Sequence, residues 1–408
     1  MSEYNNELIE LPKDWEVKRL GDILLFKNGK RPNIINEEGE IPVYGANGII
    51  GYTNDYLINY DTTIIIGRVG AAGKVHLAKG KIWVSDNAIY AINRNESKAH
   101  PNFIFYLLSY LNPGKFASKT THSIITQKSL ENFKIPLPPL EEQKKIVEIL
   151  NTVDSIIIDT TNLIEKLKLL KEKTLNLLIT GKIWHKEFKD TEIGKIPKNW
   201  EIVKLEEIAV DIYRYPTYYN IKYVSMNEGV PEVRAELIKE NGELEDDLSK
   251  YRFISKETSK RFYRTILHEG DFVLSVRGTL GKVAIVPKFL EGANITANLM
   301  KISLNCLKCY PPFFKQFFLS DFFRKNLDNI SSQTTIKTIQ ASKLKSIKIP
   351  LPPLEEQKKI AEILSTIDNK IETETKYLDY MKKLKEKLLA ALMTGKIRVN
   401  SIPIGDLK

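Results

Sequence analysis

The stretch IPLPPLEEQKKIVEIL at residues 135–150 decides the fold, because it returns almost unchanged as IPLPPLEEQKKIAEIL at residues 349–364. Fifteen of the 16 positions are identical, and the exception is Val147, where the second copy has Ala361. The likeness then weakens but persists, and both copies close with the tetrapeptide TGKI. An internal repeat of this length indicates that one structural unit is present twice in the chain.

A second repeat opens each copy. It reads LPKDWEVKRLGDI at residues 11–23 and IPKNWEIVKLEEI at residues 196–208. The chain therefore contains two units, at residues 9–183 and 194–397. The ends of the units are nearly fixed, whereas their middles have diverged, and the offset between the copies grows from 185 to 214 residues. This pattern predicts a shared role for the ends and two different roles for the middles.

The repeated ends are typical of long helices. Pro138-Pro139 can only precede or open a helix, and Glu141 and Glu142 then fall in its first turn, where the helix dipole favours anions. Apolar residues follow at three- and four-residue steps over about five heptads, which indicates a coiled coil; a single amphipathic helix on a globular core is the alternative. The predicted apolar stripes are Ile146, Leu150, Val153, Ile157, Leu163, Leu167, Leu170 and Leu177 in the first copy, and Ile360, Leu364, Ile367, Ile371, Leu378, Met381, Leu384 and Leu388 in the second.

The order of the segments fixes the direction of these helices. Each is expected to end at the glycine of its TGKI sequence, Gly181 or Gly395. The first helix delivers the chain into the second middle region, and the second helix begins where that region ends, so paired helices must run antiparallel. About 40 residues at 1.5 Å per residue give a rod of about 60 Å. This length matches about one to two turns of B-DNA and predicts a spacer between two recognition domains.

The two middle regions have the pattern of mixed α/β domains. Glycine turns separate strand-like runs at Thr62–Ile66, Phe272–Val276 and Val283–Val286. Short buried helices are predicted at Pro101–Leu108 and Pro311–Leu319. The predicted fold class is therefore α/β (α+β), with two copies of a domain separated by two long helices that form an antiparallel coiled coil, and with an internal pseudo-two-fold repeat.

Composition and charge limit the classes of protein. The chain has 408 residues, of which 42% are hydrophobic, enough for two or three packed domains. Lys plus Arg number 61 against 51 for Asp plus Glu, and the net charge of +10 suits a nucleic-acid partner. The polar start shows no secretory core, and no apolar run approaches the roughly 18 residues of a membrane helix. Because two cysteines exclude a disulfide framework, we expect a cytoplasmic protein without a membrane partner.

The order of variable region, IPLPPLEEQ helix, PK-x-W-E start, variable region and second IPLPPLEEQ helix resembles the specificity subunit of a type I restriction–modification system, over residues 9–397. The resemblance implies that the variable regions are target-recognition domains, each reading one half of an asymmetric, bipartite site in double-stranded DNA. It implies that the repeated helices form the spacer and dock two modification (methyltransferase) subunits, while two restriction subunits carry the ATPase and the nuclease. S-adenosylmethionine, ATP and Mg²⁺ would be used by those partner subunits, with adenine as the methyl acceptor. The chain itself would have no cofactor.

The resemblance also sets the expected domain boundaries. They are a first target-recognition domain at residues 1–137, a spacer helix at 138–183, a second recognition domain at 184–351, a second spacer helix at 352–398 and a tail at 399–408. The partner-docking and spacer residues are expected near the starts of the helices. They are Glu141, Gln143, Ile146, Leu150, Glu355, Gln357, Ile360 and Leu364.

Signals for catalysis or metal binding are weak. The sequence Tyr310-Pro311-Pro312-Phe313 approaches the Asn/Asp/Ser-Pro-Pro-aromatic motif of amino methyltransferases, but Tyr lacks the amide or carboxylate that holds the amino group, so a helix start is predicted. No G-x-x-x-x-G-K-[ST] loop is present. Cys306 and Cys309 form a single C-x-x-C, which we interpret as structural, and the five histidines show no ligand spacing. The sequence therefore predicts a protein without catalytic residues and without a metal site.

Candidate DNA contacts are polar, basic or aromatic residues on loops rich in glycine, Ser or Thr, because such side chains read base edges or bind phosphates. In the first unit they are Lys30, Arg31, Tyr44, Asn47, Arg68, Lys74, Lys119, Thr120 and Thr121. In the second unit they are Tyr213, Arg214, Tyr215, Tyr218, Arg277, Lys282, Ser332, Gln333 and Thr334. For each residue a solvated or structural role is an equal alternative, and for the tyrosines around Arg214 that alternative is a buried aromatic cluster. Arg68 and Arg277 stand one residue out of register between the units.

Two other functions stay open on the sequence alone. One is a scaffold whose middle regions bind protein, which only the net charge and the resemblance oppose. The other is a fragment of a fused DNA methyltransferase/restriction enzyme, which would need a cofactor loop and a catalytic tetrapeptide that the sequence does not contain.

Overall fold

The chain packs into two compact units in the computed structural model. Unit 1 comprises Met1–Asn162 and Lys376–Lys408, and unit 2 comprises Leu163–Thr375. Each unit therefore contains part of both long helices, whereas the sequence-based boundaries lie at the helix starts. The described residues are 11–94, 98–116, 124–331 and 337–399.

Unit 1 is built on one large sheet with short helices beside it. Its elements before the long helix are β1 (Glu16–Arg19), α1 (Leu20–Ile23), β2 (Leu24–Asn28), β3 (Ile41–Gly45), β4 (Gly48–Thr53), β5 (Ile58–Gly67), β6 (Val75–Val84), β7 (Ala88–Asn93), α2 (Pro101–Leu111), a 3-10 turn (Pro113–Phe116), α3 (Gln127–Glu131) and β8 (Lys134–Leu137). Six strands follow the order β2-β7-β5-β6-β3-β4, while β1 and β8 form a separate antiparallel pair. Neighbouring strands of the large sheet are antiparallel except for β3 and β6, which are parallel.

The first long helix, α4 (Leu140–Ile179), leads out of unit 1. The elements that follow it are β9 (Phe188–Thr191), β10 (Gly194–Pro197), β11 (Glu201–Lys204), α5 (Leu205–Ile208), β12 (Ala209–Tyr213), β13 (Tyr223–Val224), β14 (Gly229–Val233), β15 (Arg252–Ser255), α6 (Lys256–Arg261), β16 (Phe272–Ser275), β17 (Val283–Ile285), β18 (Asn294–Ile295), β19 (Leu299–Leu304), α7 (Pro311–Leu319), α8 (Asp321–Ile330), α9 (Ala341–Lys345), β20 (Lys348–Leu351) and the second long helix, α10 (Leu354–Met393). Short 3-10 turns lie at Ala235–Leu237, Leu248–Lys250, Tyr263–Thr265 and Lys288–Leu290. The predicted strands and helices of both middle regions are present within a few residues of their expected bounds.

The two units share a scaffold. In unit 2 the order β12-β19-β16-β17 corresponds to β2-β7-β5-β6 of unit 1, and the pair β11-β20 corresponds to β1-β8. Unit 2 also contains a four-stranded sheet of order β13-β15-β14-β18, with its own apolar core around Val233, Leu267 and Ile295. Three of its strands, β13, β14 and β15, lie between β12 and β16, at the place in the sequence where unit 1 has β3 and β4 between β2 and β5. It therefore accounts for the greater length of the second middle region.

Both long helices have 40 residues and begin directly after a Pro-Pro pair. Both end before a glycine with positive φ, 68° at Gly181 and 69° at Gly395. At the first of these caps the N–H of Lys182 donates to the carbonyl of Leu177 at 2.9 Å. An added Cβ at Gly181 or Gly395 would also collide with Pro197 or with Pro12. The predicted C-terminal caps are therefore confirmed.

Within each unit the two long helices run antiparallel. In unit 1, Asp154 near the start of α4 forms an ion pair with Lys385 near the end of α10, at 2.5 Å. In unit 2, Lys171 near the end of α4 pairs with Asp368 near the start of α10, at 2.7 Å. This arrangement agrees with the antiparallel direction predicted from the segment order.

The buried face of α4 differs from the predicted stripe in its second half. Ile146, Leu150 and Val153 are buried as expected, but Leu163, Leu170 and Leu177 are exposed. The buried side chains there are Ile164, Leu175, Leu178 and Ile179. A straight helix drifts against a seven-residue repeat, and Leu is frequent on both faces of this segment, so the sequence did not distinguish the two registers.

Candidate nucleic-acid interface

A glycine-containing turn between β5 and β6 carries Arg68 and Lys74 of the first candidate set. Its base is closed by hydrogen bonds from the Gly67 N–H to the Lys74 carbonyl and from the Gly73 N–H to the Gly67 carbonyl, both 2.8 Å. Gly70 and Gly73 have φ of 83° and 86°. These left-handed conformations require glycine, so the turn is a preformed loop on a rigid hairpin.

Unit 2 contains the same turn between β16 and β17. The Ser275 N–H donates to the Lys282 carbonyl at 2.8 Å, and the Gly281 N–H donates to the Ser275 carbonyl at 3.0 Å. Gly278 and Gly281 have φ of 81° and 80°. The two loops therefore have equal length and one backbone geometry.

This equivalence shows that Arg68 and Arg277 occupy different positions. The Arg68 N–H donates to the carbonyl of Asn87, and the Val276 N–H donates in the same way to Asn298, both at 2.9 Å. Arg68 thus corresponds to the buried Val276, and the exposed Arg277 corresponds to Val69. One backbone presents a different basic side chain in each unit.

The first-unit candidates Lys30, Tyr44, Asn47 and Lys74 lie close together. The Lys74 ammonium donates to the Asn47 side-chain oxygen at 2.6 Å. Trp83 at the end of β6 donates its indole N–H to the Lys30 carbonyl at 2.7 Å, and the Ser85 N–H donates to the Tyr44 carbonyl at 2.8 Å. Burial raises the pKa of the Tyr44 hydroxyl, which therefore stays protonated. This group of amide, ammonium and phenol can donate and accept hydrogen bonds at base edges or phosphates.

One member of this surface was missed by the sequence analysis. A ring nitrogen of His76 lies 3.3 Å from the carbonyl of Ala46, directly beside Asn47. Burial, and to a smaller extent the charge of Lys74, lower the pKa of His76. The only sequence signal was its position two residues after Lys74 on β6.

The remaining described candidate of the first unit, Arg31, has an exposed side chain.

In unit 2 the candidates Arg214 and Arg277 converge on the turn at Ala297–Asn298. Arg214 Nη1 donates to the carbonyl of Ala297 at 3.1 Å, and Val276, adjacent to Arg277, is bonded to Asn298. Burial and the positive charge of Arg277 lower the pKa of the Arg214 guanidinium. Within the described ranges neither arginine forms an ion pair, so two neighbouring cations are present without a carboxylate. Such a pair favours an anionic partner such as DNA.

The tyrosines around Arg214 form a packed aromatic cluster, which is the alternative that the sequence left open for them. The Tyr218 ring lies 4.3 Å from the ring of Phe262, and its hydroxyl donates to Thr265 Oγ1 at 3.0 Å. The ring and the hydroxyl of Tyr218 are thus both engaged within the unit. Tyr215 stands edge-on to Phe262 at 5.1 Å.

Arg264 is a further basic residue of this region that the sequence analysis did not find. Its guanidinium lies 3.6 Å from the ring centroid of Tyr213 and pairs with Asp211 at 3.1 Å. The cation–π contact fixes the orientation of Tyr213, which stays half-buried. The backbone N–H of Lys282 donates a hydrogen bond to Ser275 Oγ at 2.8 Å. The candidates Lys119, Thr120, Thr121, Ser332, Gln333 and Thr334 lie outside the described residues.

Of the eight residues expected to serve partner docking or the spacer helices, six are buried, so the docking part of that expectation fails for these six side chains. Gln143 and Gln357 are fully buried, and so are the predicted docking residues Ile146, Leu150, Ile360 and Leu364. Gln143 accepts from the His100 N–H and donates to the carbonyls of Lys98 and Pro138, at 2.8–3.1 Å. Side chains that are enclosed in their own unit cannot contact another subunit.

The residues of the helix starts that do face solvent are Glu141 and Glu355. They pair with Lys144 and Lys358 three residues later, each at 2.7 Å. The acidic residue that follows is inward-facing in both units: Glu142 accepts from the Trp15 indole at 3.1 Å and Glu356 from Trp200 at 3.0 Å. In each unit, therefore, the Trp of PK-x-W-E donates a hydrogen bond to the second Glu of PPLEEQ and so joins the opening segment of the unit to the start of its long helix.

Possible metal ligands are scattered in the described part of the chain. No group of three or more His, Cys, Asp or Glu side chains suited to a metal ion occurs there. Cys306 is exposed and Cys309 buried, and both are free. Tyr310 precedes α7 as an ordinary helix start, as predicted. Among the described helices, none is both long and apolar enough to cross a membrane.

Comparisons with known proteins agree with this architecture. The family model for the type I restriction modification DNA specificity domain matches residues 12–169 and 197–382. Two specificity subunits of Methanocaldococcus jannaschii, those of the type I restriction enzyme MjaVIII and the putative enzyme MjaX, are 32% and 33% identical. Each alignment covers 97% of this chain and 95% or 96% of the relative.

The fold itself also has a solved counterpart. A type I restriction–modification S subunit from M. genitalium matches 94% of this chain and 98% of its own length, with a TM-score of 0.62 and 18% sequence identity. A protein from a structure described as the assembly and conformational transition of the type I R-M system matches with a TM-score of 0.53. The chain therefore belongs to the family of type I restriction–modification specificity subunits.

Proposed function

We propose that this subunit reads an asymmetric, bipartite DNA sequence, one half with each unit, and has no catalytic activity of its own. The observation that carries this proposal is the turn shared by the two units, whose single backbone geometry presents Arg68 in one and Arg277 in the other. Two identical readers would select a palindrome, whereas two readers with different side chains at the same position select unequal half-sites.

The basic groups around these turns supply the attraction to DNA. Arg277 is exposed and adjacent to Arg214, and Lys74 is held toward Asn47. Contacts to phosphates position the two units, and the guanidinium and amide groups read base edges. The net charge of +10 adds an attraction that does not depend on sequence.

The long helices separate the readers and dock the partners in this proposal. The exposed residues Glu141, Lys144 and Glu148 of α4 recur as Glu355, Lys358 and Glu362 of α10. Packing inside a unit does not require identity at exposed positions, so a partner that binds twice is the reason we offer for it. That partner is a methyltransferase subunit, which methylates adenine with S-adenosylmethionine.

The assembled complex would contain two methyltransferase and two restriction subunits. ATP and Mg²⁺ would be used by the restriction subunits, and this chain would bind neither. Because the complex acts on chromosomal and incoming DNA, we place it in the cytoplasm.

A quantitative binding assay tests the DNA-reading role. The complex with its methyltransferase subunits should bind its methylated motif, found by methylation-sensitive sequencing, and Arg277→Ala should weaken that binding by about 1–3 kcal/mol and relax one base position. Arg324→Ala removes the same charge from an exposed position on α8 and serves as the matched control. Equal effects of the two substitutions, or none, would show that Arg277 does not read the site. Absence of DNA binding by the wild-type complex would favour a protein-binding scaffold.

A further inference from the structure

A groove of about 690 Å³ lies within unit 2 beside the start of α10. One wall is the solvent side of the helix, with Glu355, Glu362 and Ile363, and the opposite wall carries Trp184 and His185. Trp184 is 41% exposed and Ile363 is 38% exposed. An exposed tryptophan facing an exposed isoleucine between carboxylates has the composition of a protein-binding hot spot.

The floor of this groove is preorganised by hydrogen bonds. Glu356 accepts from the Trp200 indole at 3.0 Å and lies 2.6 Å from His185 Nε2. The ring of His185 also stands edge-on to Trp200, with centroids 6.0 Å apart. Because His185 is fixed in this way, the backbone of the adjacent Trp184 is held at the rim of the groove.

The corresponding place in unit 1 has the same helix wall but a different opposite wall. Glu355, Glu362 and Ile363 repeat Glu141, Glu148 and Ile149, whereas the TGKI sequence is followed by Trp184-His185 in one copy and Arg398-Val399 in the other. The residues that follow TGKI are therefore Arg and Val in unit 1, where unit 2 has Trp and His.

The contacts of the unit 1 wall also point inward. Arg398 donates to Glu142 Oε1 at 2.7 Å and to both oxygens of Asp14, at 2.9 and 2.6 Å. Val399 is buried. The guanidinium is thus engaged within unit 1, where unit 2 offers an indole face to solvent.

We infer that the two methyltransferase docking sites are unequal, and that the Trp184 groove of unit 2 is the tighter one and fills first. This inference rests on the proposed docking function. The occupant is a segment of the methyltransferase subunit with an apolar side chain between Trp184 and Ile363 and a Lys or Arg facing Glu362, since Glu355 is already paired with Lys358. The helix wall common to both units accounts for binding of one partner type twice, and Trp184 accounts for the order.

Titration of the full-length chain with its methyltransferase subunit in the absence of DNA tests the inference, with species counted by native mass spectrometry. The wild type should bind two copies with dissociation constants at least about tenfold apart, since a tryptophan hot spot has an effect of this size. Trp184→Ala should weaken the first event about tenfold or more and leave the second unchanged. Leu307→Ala, which removes another exposed apolar side chain of unit 2, should change neither.

A charge-reversal pair gives a second test that does not depend on the tryptophan. Glu362→Lys should weaken the first event, and the equivalent exposed substitution Glu148→Lys should weaken only the second. Hydrogen exchange at a substoichiometric amount of methyltransferase should protect residues 354–366 before residues 140–152.

The outcomes separate the inference from the function on which it rests. Two equal sites in the wild type, or protection of residues 140–152 first, overturn the order proposed here while leaving the docking function intact. A wild-type chain that binds no methyltransferase overturns the docking function, and the inference with it.

Discussion

The side-chain amide of Gln143 connects the start of α4 to the segment before α2 through hydrogen bonds. It accepts one backbone hydrogen bond from the His100 N–H and donates two, to Lys98 and Pro138, while fully buried. Gln357 makes the same three contacts in unit 2, with Tyr310, Lys308 and Pro352. Removal of a buried amide that satisfies three backbone groups lowers the free energy of unfolding, because each of these groups loses its hydrogen-bond partner and does not regain water.

We therefore predict that Gln143→Ala lowers the free energy of unfolding by about 3 kcal/mol. The effect should be local. Hydrogen exchange should rise in residues 101–111 of unit 1 and stay unchanged in residues 311–319 of unit 2. Gln357→Ala is the matched control and should give the reverse pattern. Unchanged exchange in both units would contradict the closing role of this amide.

The two cysteines test the structural interpretation of the C-x-x-C sequence. Burial raises the pKa of the Cys309 thiol to about 12, and this thiol lies near the carbonyl of Ile208, whereas Cys306 is exposed. Because the thiolate is the reactive form, Cys309 should not react at pH 8 in the folded protein. We predict one equivalent of maleimide incorporated per native chain and two per denatured chain, measured by mass spectrometry. Cys306→Ser should abolish native labelling, and two equivalents in the native state would contradict the buried thiol.

At the scale of elements, the two long helices were predicted well at their ends, and along their faces only the second half of α4 differs from the prediction. The Pro-Pro starts and the glycine caps are local signals that do not depend on the rest of the fold. The buried face of α4 depends on what packs against it, and its second half turned out to use Ile164 and Leu178 where the sequence suggested Leu163 and Leu177. The inward direction of Gln143 was equally hidden, because a polar residue near a helix start usually faces solvent.

The proposed spacer role of α4 and α10 leads to a prediction about DNA spacing. The change is the removal of seven residues from the middle of each helix, 158–164 and 372–378. Because seven residues are about two helical turns, the remaining side chains keep their faces, and each helix becomes about 10 Å shorter. The gap between the methylated half-sites should shrink by about three base pairs, while the half-site sequences stay the same. Methylation-sensitive sequencing of DNA from cells that carry the shortened chain measures both quantities. A deletion from one helix alone is the control and should abolish methylation, because the antiparallel ion pairs lose register. A changed half-site with an unchanged gap would contradict the spacer.

At the scale of the whole molecule, the duplicated architecture could be predicted from two short repeats, but the surfaces could not. The shared strand order follows from the same turn and helix signals in both copies. Among the described residues of unit 1 no sheet corresponds to β13-β15-β14-β18, and two of its strands, β13 and β18, have only two residues, which is too little pattern to be found in a sequence. Arg264 and His76 were missed because their roles depend on partners distant in sequence, Asp211 and Ala46.

The equivalence of elements also supplies graft points for a test of the two-reader proposal. The segment from the start of α1 to the residue before β8, 20–133, corresponds to 205–347 in unit 2, because β1 pairs with β8 in the same register as β11 with β20. A chain with 205–347 in place of 20–133 would carry two identical readers on antiparallel helices. Its methylated motif should change from asymmetric to palindromic, with both halves equal to the half-site of unit 2, because inverted identical readers select inverted identical sequences. The reciprocal graft should give a palindrome of the other half-site. A motif that stays asymmetric in both chimeras would show that specificity lies outside the grafted segments.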